Sequence, residues 1–166
     1  MKNFLLISVG IAVLDQFTKQ MIVRSLDHCE FGFCDSIELL SFLKLILLYN
    51  DGAAFSILSD AGGWQRWFLS IVSFAVSCFI FFWILRLKPS EHLLGFALAI
   101  ILGGAIGNLI DRVLLGHVVD FILLYYSDFF FPTFNVADTA ISVGAILLII
   151  EMFIKKNGRD EHGNNT

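Results

Sequence analysis

The stretch Trp67–Leu85, WFLSIVSFAVSCFIFFWIL, carries no charge between Arg66 and Arg86. A helix that crosses a bilayer needs about 20 mostly apolar residues, within about 17–25. This segment has that length and settles the class: the chain is a membrane protein. Three further windows qualify beside it, Phe4–Val23, Leu93–Leu115 and Asp138–Ile154. Composition agrees. The 166 residues are 57% hydrophobic and 16% charged, against about 45–50% and about 25% in soluble domains. The net charge of −4 and the lack of a basic stripe exclude a nucleic-acid partner.

Lys2 followed by Phe4–Leu14 has the outline of a signal peptide, but no small-residue cleavage site follows. Asp15, Thr18 and Lys19 come instead, so an uncleaved helix to about Val23 is expected. Lys2, Arg86, Lys88, Lys155, Lys156 and Arg159 fall on one side of the four spans; Arg24, Lys44 and Arg66 fall on the other. The excess of positive charge places both termini in the cytoplasm. Pro89 and Ser90 form a tight inner turn, with Ser90 as N-cap of the third helix. The outer run Leu39–Tyr49 is too short to span and ends at the turn signal Asn50-Asp51-Gly52. It reads as strand material in a sheet on the membrane surface, with an interfacial helix as the alternative. The second outer segment, His117–Ala137, carries Tyr125, Tyr126, Phe129, Phe130, Phe131 and Phe134, which suit the headgroup level. The expectation is a mainly α membrane protein with four transmembrane helices, both termini cytoplasmic, a small extracytoplasmic β-sheet and a short outer helix. Residues 1–156 form one membrane-embedded domain, with an outer loop over about 24–66; residues 157–166 form a disordered cytoplasmic tail.

Asp120 and Asp138 stand at the same end of their apolar segments. An ionisable residue in or beside the membrane is costly and marks a functional site by default. Alone, Asp138 reads as a helix cap: Asn135 is the N-cap and Asp138 the N3 residue of a capping box. Alone, Asp120 reads as a loop carboxylate. Both flank one loop that returns to adjacent helix tips, and that changes the reading. Two neighbouring carboxylates share a proton near neutral pH. One then acts as base toward water while its protonated partner polarises a carbonyl. Such chemistry needs no metal and no cofactor.

Gly104, Asn108, Asp111 and Arg112 share one face of the third helix, which must point into the bundle. Gly103 and Gly107 make a neighbouring small stripe for close helix approach. Arg112 reads either as the partner of an acid, Asp111 or Asp15, or as a group that orients a carboxylate or carbonyl. Asp15 and Lys19 form an i,i+4 pair that ties the first helix to the bundle. Cys29 and Cys34 are either free thiols or one local disulfide; with His28 they lack the ligands zinc needs. HExxH, GxSxG and Walker signatures are absent, and four scattered histidines argue against a Ser–His triad.

Five stretches in order, Asp15-Gln16-Phe17-Thr18-Lys19, Asn50-Asp51-Gly52-Ala53-Ala54-Phe55, Gly103 to Arg112, Val118-Val119-Asp120-Phe121 and Phe134-Asn135-Val136-Ala137-Asp138, resemble the lipoprotein signal peptidase family, also called signal peptidase II. The resemblance runs nearly end to end. It implies a bacterial inner-membrane aspartic endopeptidase with its site at the outer face. The implied substrate is a prolipoprotein carrying diacylglycerol on its lipobox Cys, cut before that Cys. The family's catalytic pair falls on Asp120 and Asp138. Its supporting residues fall on Asn50, Gly104, Asn108, Arg112 and Asn135, lining the site, and Asp15 and Lys19 match a structural position. A mobile outer helix over the site would follow Phe55, and the cyclic peptide globomycin would inhibit. Beyond substrate and membrane lipids no partner is implied, and a monomer is expected. The competing readings are a proton-coupled transporter using Asp15, Lys19, Asn108, Asp111 and Arg112, and a non-catalytic scaffold. The transporter needs ionisable groups continuing inward; Trp67–Leu85 has none, and the fourth helix offers only Glu151 near its inner end.

Overall fold

The computed structural model describes residues 2–29, 35–52 and 63–163. Helices α1 (Lys2–Ser25), α2 (Trp64–Leu85), α3 (His92–Leu114) and α4 (Val136–Gly163) are joined by strands β1 (Ile37–Leu40), β2 (Leu43–Asn50), β3 (Val118–Tyr126) and β4 (Phe129–Phe130). All four helices contain a segment long and apolar enough to cross a membrane. Each begins within a turn of its expected window. Helix α4 continues to Gly163, through most of the stretch read as a disordered tail, because each residue added to a formed helix gains a hydrogen bond at little further cost. The helix expected after Phe55 lies outside the described residues.

Helix α3 is the hub, packing against α1, α2 and α4. Its small residues explain why. A Cβ on Gly104 would collide with the carbonyl oxygen of Ala137, and one on Gly107 would lie 2.6 Å from Asp15 Oδ2. At Gly104 the α3 and α4 backbones therefore approach closely, and at Gly107 the Asp15 carboxylate takes the space a side chain would fill. Away from the sheet, Ile80, Ile84, Leu87, Leu94, Leu98 and Leu102 form an apolar core. Phe74, Phe79, Phe82 and Ile146, exposed on the outer faces of α2 and α4, present the surface a bilayer would cover. Helix α3 is preceded by Glu91 rather than capped by Ser90. The Glu91 carboxylate accepts the Lys88 N–H at 2.9 Å and binds Lys155 of α4, so the polar work of this turn falls on the longer acidic side chain.

The sheet closes the end of the bundle where α1 and α3 finish and α2 and α4 begin. Its order is β1-β2-β3-β4, with every pair antiparallel. The stretch Leu39–Tyr49, read as strand material, lies in a hairpin of β1 and β2 that turns at Ser41-Phe42. The aromatic segment after His117 supplies β3, which the sequence reading did not anticipate. Residues 118–123 are mostly buried, so the alternation that marks a half-exposed strand is missing. Pairing sets Asn50 opposite Val118 and Leu48 opposite Asp120, with an irregularity between Leu45 and Leu48. Ile22 and Leu26 of α1 pack beneath against Leu47, Val119 and Phe121.

Candidate active site

Asp120 lies on β3 and is 2% exposed. The chain folds back after β4 so that Phe134 bonds to Ile122 in both directions, at 2.8 and 3.1 Å. That bridge carries Asn135 to Asp120. Asn135 Nδ2 donates to Asp120 Oδ1 at 2.7 Å, and Asn50 Nδ2 donates to Oδ2 at 2.9 Å. Both amides have their orientation fixed. Asn50 Oδ1 accepts the Gly52 N–H, as the Asn-Asp-Gly turn suggests. Asn135 Oδ1 accepts the Asp138 N–H. Backbone N–H groups only donate, so each amide oxygen faces its backbone partner and each NH2 faces Asp120.

The expected capping box is present. Asn135 Oδ1 receives the Asp138 N–H at 2.9 Å, and Asp138 Oδ2 receives the Asn135 N–H at 3.3 Å. Asp138 Oδ1 takes a further bond, 2.8 Å, from Asn108 Nδ2. Capping therefore spends one carboxylate oxygen and leaves the group at the site. Both aspartates line one cavity of about 630 Å³. Its polar wall is Asn50, Asn108, Arg112, Asp120 and Asp138; its apolar wall includes Leu69, Val72, Val76, Ile141 and Ile146. Burial above all, with the charge of Asp138 adding to it, pushes the Asp120 carboxyl up to about 6 against the opposing Asn50 and Asn135 donors.

Not every expected site residue reaches the cavity. Asn135 is fully buried and works from behind the wall. Gly104 is spent on the approach of α3 to α4. Arg112 lines the cavity but pairs with neither Asp111 nor Asp15; it donates to the carbonyls of Gly52 and Asn108 at 3.4 and 3.5 Å. Lys19 has taken those acids, lying 2.8 Å from Asp15 Oδ2 and 2.8 Å from Asp111 Oδ2. Gln16 donates to Asp111 Oδ1 at 2.7 Å. The cluster also anchors the site. Asp111 Oδ2 accepts the N–H of Val119, and Asp15 Oδ1 accepts the N–H of Ala137. Those are the residues immediately before Asp120 and Asp138.

Sequence reasoning missed three supports. Arg66 of α2 donates to the carbonyls of Arg112 and Val113 at 2.9 and 2.7 Å, capping the C-terminus of α3. Its position beside an apolar helix start gave no cue beyond an ordinary flanking charge. Gln16, next to Asp15 in an apolar helix, was a readable polar signal. Tyr49 stacks on His28 and lies tilted against His117, with centroids 4.4 and 4.2 Å away, a grouping that sequence spacing does not reveal. Cys29 is disulfide-bonded and Cys78 is free; Cys34 lies outside the described residues.

Residues 7–154 match the family model described as signal peptidase (SPase) II. A lipoprotein signal peptidase of Ectopseudomonas mendocina is 51% identical over 152 residues, 90% of this chain and 87% of that protein. One from Cellvibrio japonicus is 50% identical over 142 residues, 86% and 81% of the two. A bacterial membrane enzyme solved by the in meso method at 2.3 Å superposes with a TM-score of 0.82 at 31% identity, covering 95% of this chain and 92% of the other. A carboxylate pair lining one cavity at the sheet end of four apolar helices thus meets an end-to-end match in sequence and in fold, and the chain belongs to the signal peptidase II family, aspartic peptidases of the membrane.

Proposed function

We propose that this chain cuts diacylglyceryl-modified prolipoproteins before the lipidated lipobox Cys, using water activated by Asp120 and Asp138. The observation that carries the reading is the shared cavity: two carboxylates, each held by neutral amide donors, lining one slot with a largely apolar wall. The carboxylates share one proton. The ionised member takes a proton from water as the water oxygen bonds to the scissile carbonyl carbon. The protonated member gives its proton to the carbonyl oxygen. As the tetrahedral intermediate collapses, the carboxyl that took the water proton gives it to the Cys nitrogen, and the other carboxylate takes a proton back from a hydroxyl of the intermediate. The C–N bond breaks to leave a carboxylic acid, an amine and the pair again sharing one proton. Arg112, on the same wall, is placed to hold a substrate carbonyl. The apolar wall takes the acyl chains, which fixes the scissile bond at the carboxylates.

The positive-charge bias places both termini in the cytoplasm and the sheet outside. The site then stands at the outer face of the inner membrane, where water reaches it without crossing hydrocarbon. Globomycin is expected to compete for the same cavity, and a monomer contains every group named. The test is cleavage of one prolipoprotein with and without its diacylglyceryl group, with product masses read by mass spectrometry. Release of a fragment beginning at the modified Cys, from the lipidated form alone, supports the reading. Cleavage elsewhere, or equal cleavage of both forms, overturns it.

A further inference from the structure

Three amides donate to the two carboxylates, and two of them are oriented by backbone N–H groups. The third, Asn108, is different. Its Oδ1 faces the Lys19 ammonium at 2.9 Å, while its Nδ2 faces Asp138 Oδ1 at 2.8 Å. Lys19 is 1% exposed, and its three N–H donors meet three acceptors: Asp15, Asp111 and Asn108. An ammonium cannot accept. The Asn108 oxygen must therefore turn toward Lys19, which leaves only N–H to present to Asp138. Asn135 Nδ2 adds a second, longer contact of 3.3 Å to the same oxygen. That contact is shared with Val119 O and Asp120 Oδ1, so Lys19 is the dedicated donor.

We infer that Lys19 is a positioning residue for the peptidase reaction: it fixes the Asn108 amide so that Asp138 always receives an N–H. The inference rests on the Asp120/Asp138 reading above. Without a donor at position 19 the amide is free to turn its oxygen toward Asp138. An oxygen there disfavours the ionised carboxylate and favours the protonated one. Because the titration belongs to the pair, the whole pH–rate profile then moves upward. A role confined to holding α1 in the bundle predicts no such movement.

The experiment compares Lys19→Arg, Lys19→Gln and Lys19→Met, cleaving a diacylglyceryl prolipoprotein from pH 5 to pH 9. Arg and Gln keep an N–H donor; Met does not. The expected result is a wild-type pH optimum in folded Arg and Gln variants. In Lys19→Met, kcat falls about 10- to 100-fold, KM stays near wild type, and the optimum rises by about one pH unit. Removing a cation between two buried acids threatens folding, so each substitution is also made with Asp111→Asn and compared with Asp111→Asn alone. A folded Met variant with an unmoved optimum overturns the inference, as does an equal displacement in the Gln and Met variants. Asp138→Asn is run in parallel. Activity in that protein would overturn the carboxylate-pair reading itself, a result separate from either outcome at position 19.

Discussion

Two acidic clusters lie side by side in this bundle, and they are neutralised in opposite ways. Asp15 and Asp111 share the ammonium of Lys19, each at 2.8 Å. Among the described residues, the hydrogen-bond donors to Asp120 and Asp138 are neutral amide and backbone groups. Asp15 and Asp111 are each held in place by an ion pair. Asp120 makes no ion pair among the described residues, and burial raises its carboxyl to about 6. The clusters are also joined, since Asp111 and Asp15 grip the backbone just before Asp120 and Asp138. The first is a clamp and the second is what it holds.

The sharpest way to break this comparison is to neutralise each cluster in turn. Asp120→Asn and Asp138→Asn should each lower cleavage by at least about 10³-fold in a product-release assay while the protein still inserts. Lys19→Ala should instead destabilise by about 3–5 kcal/mol, because it strands two buried carboxylates, and thermal unfolding in detergent measures this. Arg112→Ala sits between the two. It touches no carboxylate of the clamp, so stability should change little while kcat/KM falls roughly 10- to 100-fold if it holds substrate. Arg66→Ala should cost about 1–2 kcal/mol, the loss of a helix C-cap, and leave the cleavage position unchanged. Chelators are expected to change nothing, since the proposed chemistry uses two carboxylates and water; an EDTA-sensitive rate would refute that mechanism.

The pH dependence of stability separates the clusters as well. The Asp120 carboxyl titrates near 6 in the folded protein, against 3.8 for the ordinary group. A raised pKa means the folded state holds the proton more tightly. The associated stability is present below about pH 4 and is lost as the pH rises through about 6. At pH 7 the ionised group therefore costs the fold roughly 3 kcal/mol. Asp120→Asn removes that cost but leaves Asn50 or Asn135 without an acceptor, at about 1 kcal/mol. The net expectation at neutral pH is a gain of about 1–2 kcal/mol.

The helices were legible because apolar length is a local property: Trp67–Leu85 declares itself without reference to any neighbour. The capping box at Asn135 and Asp138 was legible for the same reason. The sheet was only half legible. Leu39–Tyr49 showed strand character, but Val118–Tyr126 is apolar almost throughout and hides its period. Of the two readings open for Arg112, the ion pair with Asp111 or Asp15 does not form; sequence could not choose between them because helix spacing gives the face of a residue, not its distance to another helix. The Asp15 carboxylate fills the space that Gly107 leaves open, and Lys19 bridges it to Asp111. The division of Asp15, Lys19, Asp111, Asp120 and Asp138 into a clamp and a site is a property of three helices and β3 meeting, and no one segment carries it.

The most direct test of the account is one protein measured twice: Asp120→Asn, assayed at pH 7 for cleavage of a diacylglyceryl prolipoprotein and for thermal unfolding. The account predicts no detectable cleavage and an unfolding temperature at or above that of the wild type. Retained cleavage, or a loss of stability as large as that of Lys19→Ala, would contradict it, because Asp120 would then belong to the clamp.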